Sequence, residues 1–390
     1  MKDIRASRAL AISVAAAAGL ALAASTGAFA STAQHPATDH RTGYSGNGRG
    51  HTAHQGSTFE EVDLVSDIPG KAKLTDPDLK NPWGIAMTSA SALWTSNQGT
   101  NSSTLYSLPA GTDTVAKSDK VRVTMADSVP GPAGQVAYEG TGFVLHNGDK
   151  TGSARFMFST LDGHIEAWSP GVDPNIGQTE DVATVAGAAF TGLAVASTAQ
   201  GDQLYATDFA SGAIDVFDSR FKPVKLAPWQ FRDAHLPKGY KAFNAQAIGN
   251  NVYVTYDIPN PDTGLEGTEA GNGIVDEYDA SGHFLARVAS GKDMSAPWGL
   301  AIAPKSWGDK AGDLLIGNFG DGTINILPKH GHHFDNHHAT KLRLTSGKPF
   351  SQPGLWGLLP GTETTGGTDA VWFASGINGE KDGLLGVIRP

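Results

Sequence analysis

The fold is decided by a motif that is clearest at residues 296–301, Ala296-Pro297-Trp298-Gly299-Leu300-Ala301, and by a turn-rich segment that follows it at residues 312–322. A small residue followed by an apolar pair recurs at intervals of 50 to 58 residues. The six copies are Trp83-Gly84-Ile85-Ala86, Thr141-Gly142-Phe143-Val144, Thr191-Gly192-Leu193-Ala194, Gln246-Ala247-Ile248-Gly249, Trp298-Gly299-Leu300-Ala301 and Trp356-Gly357-Leu358-Leu359. Self-similarity at such a period indicates a repeat architecture.

Each copy is followed by a second short apolar run, then by a turn and a third run. The second runs are residues 93–96, 156–159, 204–207, 252–255, 314–317 and 371–374. Asp208-Phe209-Ala210-Ser211-Gly212 leading to residues 213–217 is typical of a hairpin. No sustained period of 3.6 residues follows residue 57, so we expect little helix. Six such units predict an all-β fold, a six-bladed β-propeller, since a two-sheet sandwich, the alternative, normally holds fewer.

One strand lies before the first copy, at Phe59-Glu60-Glu61-Val62-Asp63-Leu64-Val65. We predict that it pairs into the last blade beside residues 383–388. The ring then closes without an open sheet edge.

The chain begins with the features of an export signal. Lys2, Arg5 and Arg8 precede an apolar run, and Ala28-Phe29-Ala30 has the small-x-small form of a cleavage site. We therefore expect residues 1–30 to be removed after Ala30, and the protein to be secreted. Residues 31–57 are rich in Ser, Gly and His and form a predicted disordered leader. The propeller domain is expected at residues 58–390.

Composition and charge exclude several classes of site and of binding partner. The 390 residues include 49 Gly, which suits many tight turns, and no Cys, which rules out disulfides, thiolate metal sites and a Cys nucleophile. Removing residues 1–30 takes three of the 29 basic and one of the 39 acidic residues, which leaves a net charge of −12. An acidic chain without basic clusters is not expected to bind nucleic acid. We expect a monomer without a stable membrane anchor.

The sequence also resembles a known family at residues 76–84, 204–209, 296–301 and 312–322. It is similar, over about residues 58–390, to an uncharacterised family of secreted bacterial six-bladed propellers. Some of its members carry a PEP-CTERM sorting tail, which is not seen here. A more distant resemblance is to NHL-type and SMP-30/gluconolactonase-type propellers. The resemblance implies a fold and an export route, and no activity is carried over from the close family.

Two rings of side chains are candidates for a site at one mouth of the channel. The first, at the start of each copy, is Trp83, Thr141, Thr191, Gln246, Trp298 and Trp356. The second, just after the second strand, is Asn97, Thr160, Asp208, Tyr256, Asn318 and Ser375. The second ring suits a hydrogen-bonding pocket or Ca²⁺, or its members simply end strands and cap turns.

The first ring contains no acid, unlike the metal-binding residues that the resemblance to lactonases implies. Its Trp residues can stack on sugars or other flat ligands, or they pack between blades. Five His and one Asp lie within residues 330–338. His330, His332, His333, His337 and His338 form a possible surface site for Zn²⁺ or Cu²⁺, either adventitious or functional.

These features predict a secreted binding or interaction module for a small molecule, carbohydrate or protein. The alternative is a metal-assisted, lactonase-like hydrolase or lyase acting on an extracellular carbohydrate or lactone, with Asp208 or another ring carboxylate as base.

Overall fold

Six sheets, antiparallel except for one short pair in the last, surround a central channel, so the six-bladed β-propeller is confirmed. The computed structural model describes residues 58–126, 131–172 and 177–390. The predicted signal at residues 1–30 and the predicted leader at residues 31–57 lie outside these ranges. In each blade the innermost strand lines the channel and the chain then runs outward. We call the end of the channel at which the innermost strands begin the channel mouth.

The first three blades differ in their outer strands. Blade 1 comprises Pro82–Ala86, Leu93–Asn97, Ser102–Ser107 and Ala116–Thr124. Blade 2 comprises Pro132–Ala137, Phe156–Thr160, His164–Trp168 and Glu180–Thr184, with a hairpin inserted at Val144–Asn147 and Lys150–Ser153. Blade 3 comprises Phe190–Thr198, Gly201–Asp208 and Ile214–Asp218.

The other three blades complete the circle. Blade 4 comprises Lys241–Ile248, Asn251–Asp257, Ile274–Asp279 and Phe284–Ser290. Blade 5 comprises Pro297–Ile302, Leu314–Asn318, Ile324–Leu327 and Thr340–Lys341, with a hairpin inserted at Lys329–His330 and His333–Phe334. Blade 6 comprises Leu355–Pro360, Val371–Ser375, Leu384–Arg389, Glu60–Ser66 and Leu74–Thr75.

The ring closes as the sequence predicts. Glu60–Ser66 pairs antiparallel with Leu384–Arg389 in blade 6. The Ser66 hydroxyl donates to the Gly383 carbonyl at 2.7 Å, in the buried interior. The two ends of the propeller therefore hold each other through main-chain hydrogen bonds, and closure needs no disulfide.

Helix is scarce in the described ranges, as expected from the absence of a 3.6-residue period. They contain 3₁₀ turns at Gln98–Thr100, Gly308–Lys310 and Asn336–His338, and a turn at Ile377–Glu380.

Two copies of the repeat are placed differently from the prediction. The innermost strand of blade 2 is Pro132–Ala137, whereas Thr141 lies in an exposed loop. In blade 4 the strand register aligns Asn244 with Gly192 of blade 3, so the ring position belongs to Phe243 and not to Gln246. Blade 2 carries Ala at this position and blade 4 carries Asn in place of the Gly that follows it. The motif is therefore hidden in both.

Glycine follows the ring position because neighbouring innermost strands nearly touch there. A Cβ added to Gly134 would lie 2.6 Å from Gly192 Cα, and one added to Gly299 would lie 2.4 Å from the Trp356 carbonyl oxygen. In blade 4, Asn244 instead extends its amide and donates to the Trp298 carbonyl at 2.7 Å. The channel is thus narrow at this level.

Candidate functional site

The six residues of the predicted polar ring occupy equivalent positions. Each pairs with the first or second residue of its blade's innermost strand, at the channel mouth. The pairs are Asn97 with Pro82, Thr160 with Pro132, Asp208 with Phe190, Tyr256 with Ala242, Asn318 with Pro297 and Ser375 with Leu355.

Each of these side chains is engaged within its own blade or its flanking segments. Asp208 accepts from the main-chain N–H of Ala189 at 2.8 Å and of Ala210 at 2.9 Å. The others bond as follows: Asn97 to Thr104, Thr160 to Asp162, Tyr256 to Tyr278, Asn318 to Ser295 and Thr323, and Ser375 to Pro353. No hydrogen bond within the described ranges joins two members of this ring. They hold turns in place, the role that Asn, Asp and Ser commonly have at strand ends.

The three Trp of the first ring do meet on the channel axis. Trp83 stacks on Trp356 with ring centroids 3.6 Å apart, and Trp298 meets both edge-on at 6.2 and 5.7 Å. Their side chains are buried. The cluster also includes the aromatic rings of Phe209, Phe243 and Phe319. We call these six residues the aromatic plug, because together they close the channel just inside its mouth.

A pair of carboxyl groups lies at the mouth and was not predicted from the sequence. Glu266 belongs to the long loop of blade 4, residues 258–273, and Glu380 belongs to the turn between the second and third strands of blade 6. The two carboxyl groups lie close enough to interact although blade 5 separates their blades, since the charge of Glu380 raises the pKa of Glu266. The blade 4 loop also contacts blade 5, where the Ser295 hydroxyl donates to the Thr268 carbonyl at 2.9 Å. This loop therefore reaches over part of the mouth.

Electrostatics favour one proton shared by this pair. Burial raises the pKa of Glu266, and the Glu380 carboxylate raises the pKa further. Burial also raises the pKa of Glu380, although hydrogen bonds from Asn81 and from Glu266 lower it. Two carboxyl groups in contact cannot both be charged at modest cost, so a neutral acid beside a carboxylate is the stable form.

Asn81 connects the carboxyl pair to the aromatic plug. Its amide N–H₂ donates to Glu380 Oε2 at 2.9 Å and to Gln98 Oε1 at 3.2 Å, and its oxygen accepts from the Trp356 indole N–H at 3.3 Å. The side chain is buried. Segments of blades 1 and 6 therefore form one hydrogen-bonded group at the mouth, and Glu266 of blade 4 interacts with it electrostatically.

Left-handed backbone also occurs in this group, as it does at several other positions of the described chain. Asn378, Gly379 and Glu380 have φ values of 56°, 64° and 65°, and Asn81 has a φ of 45°. Left-handed backbone is unfavourable for residues other than Gly, and three in succession are rare. Such outliers cluster at functional sites, where surrounding structure holds them.

A third carboxyl group lies next to the pair. Asp257 is fully buried, and its Oδ2 accepts from the Gly267 N–H at 2.7 Å. Its Oδ1 has no hydrogen-bond partner in the described part of the chain. Burial raises the pKa of Asp257 to about 7, and the charge of Asp257 in turn raises the pKa of Glu266. A buried, unpartnered oxygen beside a proton-sharing pair is a place where a ligand group or a water gains a hydrogen bond.

The predicted metal sites are not assembled in the described residues. They contain no group of three or more His, Asp or Glu side chains placed to hold a metal ion. In the His-rich segment, His338 Nδ1 lies 2.6 Å and His330 Nε2 lies 3.9 Å from Asp335 Oδ2. His332, His333 and His337 join neither contact. These side chains are exposed, as expected of a surface loop. A helix of a length and apolarity sufficient to cross a bilayer does not occur in the described ranges.

Comparisons with known proteins give relatives by sequence. The uncharacterised protein R648 of Acanthamoeba polyphaga mimivirus is 33% identical over 331 residues, which cover 83% of this chain and 78% of R648. The uncharacterised protein L690 of the same virus is 29% identical over 343 residues, 85% of each chain. No family model matches the sequence.

Solved structures with a similar fold include enzymes of several kinds. An α-L-arabinofuranosidase from Fusarium graminearum has a TM-score of 0.51 at 14% identity, covering 85% of this chain and 98% of that one. A streptogramin B lyase has a TM-score of 0.46 at 11% identity, covering 85% and 97%. A gluconolactonase from Xanthomonas campestris has a TM-score of 0.39 at 18% identity, covering 66% and 88%. At such identities the likeness concerns the fold alone.

Proposed function

The chain belongs to the family of the mimivirus protein R648, and we propose that it is a secreted binding protein whose ligand sits at the channel mouth. The observation that carries this proposal is the proton-sharing pair of Glu266 and Glu380, joined through Asn81 to the aromatic plug. Half-buried carboxyl groups with raised pKa values beside aromatic side chains are common in ligand sites.

The chemistry of the group favours a small, hydroxyl-rich ligand such as a saccharide or a sugar lactone. A neutral carboxyl donates and accepts, a carboxylate only accepts, and the Gln98 amide, whose oxygen accepts from Asn81, adds its N–H₂ as a donor. Hydroxyl groups match such a mixed set because each one donates and accepts. The pair carries one negative charge in all, which disfavours anionic ligands.

Calorimetric titration with a panel of mono- and oligosaccharides and their lactones tests this proposal. We expect a saturable signal that Glu380→Gln weakens at least tenfold, because the amide carries no charge and cannot share a proton with Glu266. Glu363→Gln, at an exposed loop position, is the matched control and should leave affinity unchanged. Equal affinity in both variants, or no binding across the panel, would contradict the proposal.

A catalytic role is the second candidate, and the raised pKa values favour it. A carboxyl that stays protonated near neutral pH beside a carboxylate can serve as acid and base on a lactone carbonyl. Glycoside cleavage fits less well, since retaining enzymes hold their carboxyl groups about 5–5.5 Å apart, and inverting enzymes still farther. Asp208, the base expected from the sequence, is occupied by two main-chain N–H groups.

Proton release during incubation with lactones distinguishes the two candidates, measured with and without added Ca²⁺. Turnover that Glu266→Gln and Glu380→Gln both abolish would establish an enzyme. Saturable binding without turnover leaves the binding function. Turnover only with Ca²⁺ would identify the metal-assisted alternative.

Export is proposed from the sequence of residues 1–30. Expression of the full chain in a bacterium with an intact Sec pathway, followed by N-terminal sequencing of the protein in the medium, tests it. The expected first residue is Ser31. Full-length protein retained in the cells would contradict secretion.

A further inference from the structure

The loop after the second strand of blade 4, which carries Glu266 to the mouth, has the construction expected of a lid. We call residues 259–266 the lid tip. The tip is held together by its own hydrogen bonds, since the Asn260 N–H donates to the Leu265 carbonyl and the Gly264 N–H to the Asn260 carbonyl, each at 2.8 Å. Residues 260–265 are exposed, and within the described ranges no hydrogen bond joins residues 259–265 to another blade. The tip can therefore move as one body.

Two anchors at the base of the loop fix where such a movement begins. The Gly267 N–H donates to Asp257 Oδ2 at 2.7 Å, and a Cβ added at residue 267 would lie 2.4 Å from the Ile258 carbonyl oxygen, so the two limbs of the loop touch there. One residue farther on, the Ser295 hydroxyl of blade 5 donates to the Thr268 carbonyl at 2.9 Å. The lid tip therefore projects from a fixed base.

The charged groups that act on Glu266 are both acids. The Glu380 carboxyl acts on it from blade 6 and the Asp257 carboxyl from blade 4. Burial, which has the largest effect, and these two charges raise the pKa of Glu266 to about 8, and burial raises the pKa of Asp257 to about 7. When all three groups are ionised, like charges lie close together with little water between them, which is unfavourable.

The polar groups that other elements place at the mouth are neutral or already paired. Asn81 of blade 1 donates to Glu380 at 2.9 Å as an uncharged amide, and blade 5 meets the loop through a hydroxyl group. Lys80, which precedes Asn81, is paired with Asp67 and Asp382. Repulsion between the mouth carboxylates is therefore relieved by separating them.

We propose that the lid tip is a pH-controlled cover of the channel mouth, which lies over the mouth while Glu266 and Glu380 share a proton and moves away when both are ionised. The tip is the part that moves, because Glu380 is held by Asn81 whereas the tip is fastened only at its base and through Glu266 within the described ranges. This inference rests on the proposed function, since it describes how that site opens to its ligand. The site is then covered in acidic medium and accessible in alkaline medium.

A distance measurement between two spin labels tests the movement without a ligand. The chain contains no Cys, so Leu265→Cys on the lid tip and Ser211→Cys on the exposed turn of blade 3 take labels at these two positions alone. We expect a narrow distance distribution at about pH 5 and a shifted, broader one at about pH 9. The midpoint should lie between about pH 7 and about pH 8. The same distribution at both pH values would overturn the proposal.

Amide variants of either carboxyl group identify the cause. In Glu380→Gln or Glu266→Gln the amide N–H₂ donates to the remaining carboxylate and no shared proton is needed, so the narrow distribution should persist at about pH 9. Asp262→Asn, at an exposed position of the lid tip, is the matched control and should keep the full response to pH. Opening of both amide variants at alkaline pH, or loss of the response in Asp262→Asn, would contradict the assignment to Glu266 and Glu380.

The result is separate from that of the saccharide titration. A pH-dependent movement without saccharide binding would support the lid and refute the proposed ligand, whereas binding without movement would do the reverse. Should an amide variant fail to fold, the labelled protein with both native carboxyl groups still decides, because its response to pH is the primary measurement.

Discussion

Two sets of polar side chains lie at the same mouth and differ in what they are bonded to. The strand-end ring, represented by Asp208, is satisfied by main-chain groups a few residues away or in the adjoining loop. Glu266 and Glu380 come from longer segments and interact with each other across the mouth, and Glu380 also accepts a hydrogen bond from Asn81. Residues at strand ends use their hydrogen-bonding groups to hold the turns of their own blade. Residues on loops that leave the blade are free to meet those of other blades.

The aromatic plug separates these mouth groups from the interior, and a substitution in it is expected to have the largest effect on stability. Trp356 is fully buried and contacts Trp83, Trp298 and Phe319. Trp356→Ala should lower the free energy of unfolding by about 3–5 kcal/mol, since it leaves a large cavity where all six blades meet. Urea denaturation measures this.

Trp229→Ala is the control for that variant, because Trp229 is 48% exposed. It should change stability by less than about 0.5 kcal/mol. A similar loss in both variants would show that the plug is not central to stability.

The glycine positions behind the plug are expected to be the next most sensitive. A Cβ at residue 299 would lie 2.4 Å from the Trp356 carbonyl oxygen and 3.0 Å from the Leu358 nitrogen. Gly299→Ala should therefore cost about 1–3 kcal/mol by forcing two blades apart. Gly177→Ala, with no atom within 4 Å of the added Cβ, is the matched control. Chemical denaturation that finds the two variants alike would refute the close approach of blades.

The buried carboxyl group of Asp257, at the mouth, should make the stability of the protein depend on pH. Its pKa is about 7 in the folded chain against 3.8 when unfolded. Between these values the folded state holds a proton that the unfolded state has released. Stability should therefore fall as pH rises from about 4 to about 7, by at most about 1.4 kcal/mol per pH unit.

The Asp257→Asn variant isolates this contribution. Urea denaturation at a series of pH values should show a shallower slope than in the unaltered protein. Asp262→Asn, in an exposed part of the same loop, should keep the full slope. Identical slopes in all three proteins would mean that Asp257 is not buried as an acid.

The sequence predicted the parts of this molecule that repeat. Six units, their hairpins and the closure by residues 59–65 follow from local alternation of apolar residues, which needs no knowledge of distant contacts. The strand register in blades 2 and 4 was wrong because Ala133 and Asn244 replace the residues that make the motif visible.

The carboxyl pair was missed for a different reason. Glu266 and Glu380 are 114 positions apart in loops of unlike length and belong to no repeat. The Asn378-Gly379 dipeptide signals a turn with positive φ, but no local signal tells which loop reaches across the channel. The tryptophans of the first ring were predicted from the sequence as candidates for a site in the channel. Their burial together as a plug could not be predicted, because it depends on three blades meeting on one axis.

The smallest expected effect on stability is that of a substitution in the strand-end ring. Asp208→Ala removes the acceptor for the Ala189 and Ala210 N–H groups, in a part of the blade that water reaches incompletely. The loss should be about 1 kcal/mol, as for other side chains that cap main-chain donors. Ligand affinity at the mouth should not change, whereas Glu380→Gln should lower affinity with little loss of stability. Calorimetric titration and urea denaturation of both variants give the comparison, and a binding defect in Asp208→Ala would restore the ring to the site.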